Sequence, residues 1–460
     1  MRLQSIQFKH VALFHDLKIQ FQYDKQPITL ILGEQATGKS MLLKHIYHTL
    51  TWFPARLKDV RTPGVVMPDQ DITHSRLQSK IEVSIHIPSE FGQLPETTSA
   101  QQTDTSVCSW KLFKTLNATG VGISQVETQQ LDQTVTLYHQ VTRKDPLQGL
   151  PLLAYYPSER FVNDINLLNK NLPGITQSIS AYEISLIPFT TFTRFFEWLR
   201  EISDIENAQA AQVVQRIISK QSNPQNQEEL LHQLQIELAG QPKQLPSPNL
   251  YALKSALKII FPELEDLYLQ YHPRLQLMVH YKGEALAFQQ LSNTTKTWIA
   301  LVGDVVRRLC LLNPLSLDPS LEGEGILLID QIDSQLDAQH CSEILNRLHQ
   351  AFPRLQIIVT GSREELLEHA TAYQCFKLEY GKVGQLDLNT TQQQLEHLYT
   401  LLHRDEALAP HIDTLPPDTE PTTAQIDNLY QQIQNLNEQQ KNELLRMIHA
   451  GDTSEETSSL

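Results

Sequence analysis

The chain has 460 residues, which is enough for two or three domains or for one large domain with insertions. Its formal net charge of −15 argues against a broad basic face that wraps duplex DNA or an anionic membrane, although a small basic groove is compatible with it. The four cysteines stand far apart without a CxxC pair, which argues against a zinc knuckle or a disulfide framework and favours a reducing compartment.

The first 50 residues are predicted to form two strands, a buried strand, a glycine-rich loop and a helix. LQSIQF and LKIQFQY alternate as strands do, ITLILG is a short apolar run of the buried kind, and SMLLKHIYHTL has apolar residues at helical spacing. The N-terminus lacks the unbroken apolar core of a signal peptide, and no run of about 18 apolar residues occurs anywhere. We therefore expect a soluble, cytoplasmic protein without a membrane segment.

The middle of the chain is predicted to contain an antiparallel lobe and then a helical insertion. Between about 80 and 145, the segments IEVSIHI, VCSWKLF and VTLYHQVT alternate with period two, which predicts three strands of the lobe. From 190 to 262, FTRFFEWLREI, AQVVQRIIS and ELLHQLQIELA have the spacing of long helices.

From about 275 onward, alternating strands and helices predict a sheet with helices on its faces. The strand LQLMVHY is followed by a helix after LSNTT, and then by the buried strands GILLID and LQIIVT with a helix between them. Past about 390 the sequence is rich in Gln and Glu and ends in one amphipathic helix at about 425–448, which we expect to pack on the head or on a partner. The last ten residues are expected to be disordered.

The octapeptide GEQATGKS at 33–40 matches the phosphate-binding pattern G-x-x-x-x-G-K-[ST], between the strand and the helix that the pattern requires. Gly33 and Gly38 let the backbone wrap tightly, so that N–H groups of the loop and the helix N-terminus face the phosphates. Lys39 would neutralise β- and γ-phosphate charge, and Ser40 would offer its hydroxyl to Mg²⁺. The pattern predicts ATP or GTP binding by Gly33, Glu34, Gln35, Ala36, Thr37, Gly38, Lys39 and Ser40.

Two later segments carry polar residues that suit the same site. Asp330 closes the apolar strand ILLI, where a magnesium-binding carboxylate is expected. Ser292 is predicted to be the N-cap of the helix that follows it, and such a helix N-terminus can bind an anion, including a γ-phosphate held by another subunit. Taken alone, that segment is equally well interpreted as an ordinary capped helix.

The order of several segments resembles the SMC/ABC-type, AAA-labelled ATPases, in particular predicted ATP-binding proteins involved in virulence and their relatives in retron- and Septu-type anti-phage systems. The resemblance runs from about residue 2 to 385 and is carried by QFKHVALFHDLKIQF, ITLILGEQATGKSMLL, LPLLAYYPSERFV, FFEWLREISDIENA, QQLSNTTKTWIALVGDVVRRL, GEGILLIDQIDSQLD and FPRLQIIVTGS. It implies an α/β SMC/ABC-type P-loop ATPase head with an antiparallel β lobe and a helical insertion. It also implies a homodimer joined head to tail through ATP and Mg²⁺.

The resemblance assigns roles to single residues. Ser40 and Asp330 would bind the metal, and Ser292 would be the signature serine that acts in trans. Tyr156 and Arg160 belong to the family's YYP-x-x-R stretch, to which no role is assigned.

We expect four parts in the chain. Residues 1–189 would form the N-terminal part of the head with the phosphate loop and the lobe, and residues 190–262 the helical insertion. Residues 263–390 would form the C-terminal part of the head with the signature helix and the Walker B strand, and residues 391–460 a helical appendage with a disordered tail. Sustained heptads are lacking between the phosphate loop and the signature helix, so a long coiled coil is not expected.

The chain departs from the family at the residues that cleave ATP. The family pattern reads L-S-D-G-E-K, I-D-E-I-D and T-H-S-P, whereas this chain has LSNTTK at 291–296, IDQID at 329–333 and TGSR at 360–363. Gln331 therefore replaces the expected general base, Gly361 the expected γ-phosphate-sensing histidine, and Thr294 a glycine. A missing general base costs roughly 10² to 10⁴ in rate, so we expect very slow or absent hydrolysis with retained binding.

These features predict a nucleotide-dependent regulator or scaffold of a partner effector, such as a nuclease, in anti-phage defence. One alternative is an active ATPase in which Asp333 or Asp337 supplies the lost carboxylate. Another is a DNA-repair type clamp that binds DNA directly. It is also open whether Gln331 is natural or was introduced to trap ATP, although Gly361 and Thr294 are not usual trapping substitutions.

Overall fold

The computed structural model describes residues 1–95, 105–163, 167, 178–182, 189–220, 248–369 and 372–386. Residues 1–390 belong to one compact unit, and residues 391–460 are a second unit outside the described residues. The predicted helix at about 425–448 and the predicted disordered tail lie in that second unit, and the segment ELLHQLQIELA also lies outside the described residues.

The strands and helices have the following bounds, numbered in chain order. The strands are β1 (Arg2–Val11), β2 (Phe14–Gln20), β3 (Ile28–Leu32), β4 (Gln78–His86), β5 (Val107–Leu116), β6 (Gly122–Glu127), β7 (Leu152–Tyr156), β8 (Glu159–Arg160), β9 (Phe189–Thr190), β10 (Leu264–Gln270), β11 (Gln276–Tyr281), β12 (Glu284–Ala287), β13 (Gly325–Ile329), β14 (Leu355–Gly361), β15 (Tyr373–Glu379) and β16 (Lys382–Leu386). The helices are α1 (Lys39–Leu50), α2 (Trp52–Lys58), α3 (Gln129–Lys144), α4 (Thr193–Lys220), α5 (Pro248–Ile260), α6 (Asn293–Leu312), α7 (Pro319–Glu322) and α8 (Ala338–Ala351).

The antiparallel lobe is a five-stranded sheet in the order β2-β1-β4-β5-β6. Residues alternate between buried and less buried along β4 and β5, because one face of the sheet packs on the core. Ile6 lies opposite Val83 and Phe8 opposite Ile81, so apolar side chains from β1 and β4 share that face. The predicted antiparallel lobe is confirmed.

The prediction of a strand at VTLYHQVT was wrong, because this segment lies within helix α3. Leu131, Thr134, Val135 and Tyr138 are its buried residues, at the i, i+3, i+4 and i+7 spacing of a helix face. The Tyr138 ring packs on Phe91 and Phe53, with centroids 3.9 and 5.1 Å apart. The remaining lobe strand is β6, a sheet edge whose residues are mostly exposed, so its sequence has no apolar alternation to predict it.

The phosphate loop belongs to a six-stranded sheet in the order β16-β15-β3-β14-β13-β7. All pairs in it are parallel except β15 with β16. Strands β13 and β14 are buried along their whole length, as parallel strands covered on both faces are. This order brings the carboxyl ends of β3, β14, β13 and β7 to one edge of the sheet.

Helices cover this sheet and link it to the third sheet. Helix α1 packs on β7, β13 and β14, and α6 packs on β7, α4 and α5. A Cβ at Gly303 of α6 would lie 2.2 Å from the Phe195 ring, so glycine permits α4 and α6 to approach closely. The three-stranded antiparallel sheet β10-β11-β12 lies next to α5.

The fold class predicted from the sequence is confirmed as an α/β P-loop ATPase head with an antiparallel lobe. Helices α4 and α5 lie in the predicted helical region. The four cysteines are buried free thiols, as the sequence indicated. Among the described residues, no helix is both long and apolar enough to cross a membrane.

Candidate functional site

The phosphate loop joins β3 to α1 and depends on backbone conformations that favour glycine. Gly38 has a φ of +98°, and Ala36 also lies in the left-handed region at +61°. A Cβ at Gly33 would lie 2.6 Å from the carbonyl oxygen of Leu378 on β15, so any side chain there would displace the neighbouring strand. Helix α1 begins after Gly38 without a side-chain cap, which leaves its first N–H groups to bind an anion.

Lys39 is buried and turns back over the loop. Its Nζ donates to the carbonyl oxygens of Gly33 at 2.5 Å and Glu34 at 2.7 Å. Burial lowers the pKa of Lys39, and the nearby carboxylates of Asp333 and Asp330 oppose that shift. The loop thus holds a buried cation close to the positions that phosphate oxygens take in this motif.

Asp330 follows β13 directly and is buried. Its Oδ1 accepts a hydrogen bond of 2.5 Å from Thr360 Oγ1, and its backbone N–H donates to the carbonyl of Tyr156 at 2.9 Å. Because β14 and β7 flank β13, both neighbouring strands fix the position of this carboxylate.

The oxygen donors of the site fit Mg²⁺. The Ser40 hydroxyl and the Asp330 carboxylate line the same cavity, and both are hard oxygen ligands of the kind that Mg²⁺ prefers. In the described part of the chain, no group of three or more His, Cys, Asp or Glu residues could hold a metal by itself. In nucleotide sites Mg²⁺ commonly binds through one or two protein oxygens, with phosphate and water completing the shell.

The loop and Asp330 open on a cavity of ≈ 960 Å³, a volume suited to a nucleotide. It is lined by Leu13, Gln35, Ala36, Thr37, Gly38, Lys39, Ser40, Met41, Lys44, His45, Tyr47, His48, Val65, Asp71, Tyr155, Tyr156, Pro157, Ser158, Glu159, Thr190, Arg308, Asp330, Gln331 and Ser362. The predicted loop residues from Gln35 to Ser40 and the predicted Asp330 and Gln331 are therefore brought together.

Sequence reasoning missed the part of the cavity beyond the loop. Lys44, His45 and His48 follow Ser40 along α1 at helical spacing, which is the only sequence signal that could have found them. His45 Nε2 lies 3.4 Å from Asp71 Oδ2. Burial lowers the pKa of both histidines to about 4, so both rings are neutral at neutral pH.

Gln331 and Gly361 occupy the two positions where catalytic groups were expected. The Gln331 side chain is exposed at the cavity, and its backbone has a φ of +45°. Gly361 is buried at the end of β14, where an added Cβ would lie 2.2 Å from Leu366 Cδ1. Leu366 therefore fills the space that a histidine side chain at position 361 would need.

The two candidate substitute carboxylates both have other partners. Asp333 Oδ2 accepts from the backbone N–H groups of Ser362 at 2.7 Å and Arg363 at 2.8 Å, and from Ser362 Oγ at 3.1 Å. Asp337 is the N-cap of α8 and accepts from the His340 backbone N–H at 2.7 Å. Neither residue lines the cavity.

Ser292 is the N-cap of α6, as predicted. Its Oγ accepts from the Thr295 backbone N–H at 3.1 Å. The residue is exposed and does not line the cavity around the phosphate loop. Nearby, Thr294 Oγ1 donates to the carbonyl of Gln335 at 3.3 Å, which links the start of α6 to the loop after β13.

Comparison with known proteins gives matches over most of the chain. The family model described as AAA domain matches residues 5–245. Retron Ec83 probable ATPase of Escherichia coli is 26% identical over 413 residues, which are 83% of this chain and 72% of that protein. Retron Vc95 probable ATPase of Vibrio cholerae serotype O1 biovar El Tor is 25% identical over 395 residues, which are 81% of this chain and 73% of that protein.

Solved structures are also similar in part. The Smc head bound to the C-winged helix domain of ScpA aligns with a TM-score of 0.46 and 12% identity, over 85% of this chain and 100% of that chain. The recombination mediator protein RecF aligns with a TM-score of 0.36 and 14% identity, over 84% of this chain and 98% of that chain.

Proposed function

Because the chain belongs to the AAA domain family, we propose that it binds Mg·ATP at residues 33–40 and cleaves the nucleotide very slowly or not at all. The chain is an SMC/ABC-type P-loop ATPase head, similar in sequence to two retron ATPases.

The proposal rests on a contrast within the cavity between groups suited to nucleotide binding and groups unsuited to hydrolysis. The groups for binding are in place: the buried Lys39, the uncapped start of α1, and Ser40 with Asp330 for the metal. The wall beside Asp330 carries the Gln331 amide, which cannot take a proton from an attacking water. The nearby carboxylates of Asp333 and Asp337 are held by backbone N–H groups.

Isothermal titration with Mg·ATP tests the binding. Lys39→Ala should weaken affinity by about 10- to 100-fold, since a charge-assisted hydrogen bond contributes about 1.5–3 kcal/mol. Lys144→Ala is the matched control, because Lys144 is exposed at the end of α3. Equal affinities for the wild type and Lys39→Ala would contradict the assignment of the loop.

The biological role we propose is that of a nucleotide-dependent regulator or scaffold for an effector protein, such as a nuclease, in anti-phage defence. ATP would act as a structural ligand that joins two copies. This proposal is supported by the names of the retron relatives and by the exposed signature-like serine outside the cavity. Co-purification of the wild type, but not Lys39→Ala, with the product of an adjacent gene would support it. Equal co-purification of both proteins would contradict a role for the nucleotide in effector binding.

The alternative of an active ATPase requires Asp333 or Asp337 to leave its present partners. Freeing Asp333 would break the hydrogen bonds that its Oδ2 accepts from the backbone N–H groups of Ser362 and Arg363. The geometry therefore favours a binding protein over a rapid ATPase.

A further inference from the structure

Arg160 binds the turn that carries the metal-side carboxylate. Its guanidinium donates to three backbone carbonyls: Pro157 at 2.9 Å, Gln331 at 3.0 Å, and Asp330 through a short hydrogen bond. Burial lowers the pKa of Arg160 to about 10, with Asp330 opposing that shift, so the group stays charged at neutral pH. In the described part of the chain, no carboxylate lies within ion-pair distance of it.

The turn at Asp330 and Gln331 needs such support. The left-handed backbone of Gln331 is one that residues other than glycine rarely adopt. On one side, Thr360 Oγ1 accepts from the Gln331 N–H at 2.9 Å and donates to the Asp330 carboxylate. On the other side, both carbonyls of the turn face Arg160. Thr360 thus holds the Asp330 carboxylate, and Arg160 holds the backbone of the turn.

The segment from Tyr156 to Arg160 also contacts helix α6. Tyr156 Oη donates to Asp304 Oδ2 at 2.9 Å, and Asp304 also accepts from Arg307 at 2.8 Å and Arg308 at 2.7 Å. Burial alone would raise the pKa of Asp304, but the guanidinium groups of Arg308 and Arg307 hold it well below its usual range. A permanently ionised acceptor on α6 therefore anchors the start of this segment.

We propose that Arg160 is a positioning residue for Mg²⁺ binding, because it fixes the backbone of Asp330 and Gln331. Tyr156, in the same segment as Arg160, connects that turn to helix α6. Arg160 does not line the cavity, so it acts on a bound nucleotide only through Asp330. The inference rests on the proposed binding of Mg·ATP. It gives a function to the YYP-x-x-R stretch, because its Tyr and Arg contact α6 and the metal-side turn respectively.

The chemistry of arginine explains why this residue type is needed. A planar guanidinium can donate to several carbonyls at once in a fixed geometry, whereas a lysine ammonium is a single compact donor group on a flexible stem. Arg160→Lys would keep the charge but could not hold both carbonyls of the turn equally well. Arg160→Ala would leave the carbonyls of Asp330 and Gln331 without this donor.

The test measures how much Mg²⁺ contributes to nucleotide affinity. A fluorescent ATP analogue is titrated in Mg²⁺ and in EDTA, with the full chain as wild type, Arg160→Ala, Arg160→Lys and the exposed control Arg143→Ala. Loss of a residue that supports a metal ligand costs about 10- to 100-fold in metal affinity, so Arg160→Ala should lose most of the Mg²⁺-dependent gain. Its affinity in EDTA should stay within about threefold of the wild type, because the phosphate loop is unchanged. Arg160→Lys should be intermediate, and Arg143→Ala should match the wild type.

Other results would overturn the inference in distinguishable ways. If the ratio of the affinity in Mg²⁺ to the affinity in EDTA is the same in Arg160→Ala as in the wild type, Arg160 does not position the metal ligand. An equal loss in both buffers would mean that Arg160 supports the whole pocket. If Arg160→Ala does not fold, Arg160→Lys is judged by the same two criteria. Failure of the wild type to bind nucleotide in either buffer would overturn the proposed function, and this inference with it.

Discussion

At the scale of single residues, Gln331 and Gly361 are replacements of different kinds. Gln331 is exposed at the cavity wall, and glutamate has the same length, so a carboxylate fits there without repacking. Gly361 is buried against Leu366 Cδ1, so a histidine does not fit unless Leu366 is shortened. The position of Gln331 thus faces solvent and has room for a carboxylate, whereas the space beside Gly361 is filled by an apolar side chain.

We predict that hydrolysis returns only when both positions are restored. Gln331→Glu alone should raise phosphate release by at most about tenfold, which is a small part of the roughly 10² to 10⁴ that a general base contributes. Gly361→His alone should destabilise the protein by about 1–3 kcal/mol through overpacking. The combination of Gln331→Glu, Gly361→His and Leu366→Ala should hydrolyse faster than Gln331→Glu, with Lys39→Ala added to it as the inactive control. Full turnover by Gln331→Glu alone would contradict this account.

The buried His45 of α1 predicts a loss of stability in acid. The pKa of His45 is lowered to about 4 by burial and by Lys44, whereas in the unfolded chain it is near 6.5. Between these pH values, His45 binds a proton in the unfolded chain but not in the native chain. The free energy of unfolding is therefore highest above about pH 6.5 and decreases as the pH falls toward 4. For His45 alone, that window corresponds to roughly 3 kcal/mol.

Urea unfolding at pH 7 and pH 5 measures this effect. The wild type should be less stable at pH 5, and His45→Gln should show a smaller difference between the two pH values, since glutamine does not titrate. The same pH dependence in both proteins would exclude His45 as the cause.

At the scale of elements, the N-terminus of α6 is the part of the fold through which the proposed ATP-dependent dimer would form. Ser292 is exposed and does not line the cavity of its own chain, and under the proposed function it would meet a phosphate held by another copy. Thr294 places a β-branched side chain in the first turn of the same helix, at a position where the family that the sequence resembles has glycine. A side chain in such a close approach costs about 1–3 kcal/mol.

We predict that the chain forms a nucleotide-dependent dimer, and that substitutions at Ser292 and Thr294 change the stability of this dimer in opposite directions. The solution mass of the wild type should rise toward that of a dimer with Mg·ATP, Ser292→Arg should remain monomeric, and Thr294→Gly should dimerise at about tenfold lower concentration. Thr294→Ala is the control for loss of the hydroxyl bond to Gln335. A mass that responds to neither nucleotide nor Ser292→Arg would mean that the site acts within each copy.

Elements with strong local signals could be predicted from the sequence, and those defined by distant contacts could not. Strand β3, the loop, α1, β13, β14 and the Ser292 cap follow from apolar periodicity and from residue types within a few positions. Helix α3 was wrongly predicted to be a strand because its apolar residues also alternate over a few positions. Packing of the Tyr138 side chain in the core stabilises the helix instead. Strand β6 is an exposed edge and carries little apolar signal.

The same limit applies to the site. The phosphate loop and Asp330 are visible as motifs, but the contacts of Arg160 with Asp330 and Gln331 join residues about 170 positions apart in the chain. The Leu366 side chain that fills the histidine position is likewise apparent only from packing. Sequence patterns therefore predicted candidate phosphate-binding groups, and tertiary packing explains why a histidine at position 361 would require a change at Leu366.

At the scale of the whole molecule, the proposed function is that of a head that keeps its nucleotide intact. The cavity is lined by residues of the phosphate loop, the parallel sheet and α6, and under the proposed function its groups bind nucleotide without cleaving it. Uncleaved ATP would be a lasting structural ligand, and the occupied head would present one stable surface to a partner. The central claim is therefore that bound ATP remains ATP.

The fate of the bound nucleotide tests that claim most directly. The wild type is incubated with Mg·ATP, separated from free nucleotide by gel filtration and denatured, and the released nucleotide is identified by chromatography. After one hour, an enzyme with an ordinary turnover of about 1 s⁻¹ or more would have completed thousands of cycles. We predict that the wild type releases ATP in near-stoichiometric amount and that Lys39→Ala releases little nucleotide of either kind. Recovery of ADP from the wild type would contradict the account.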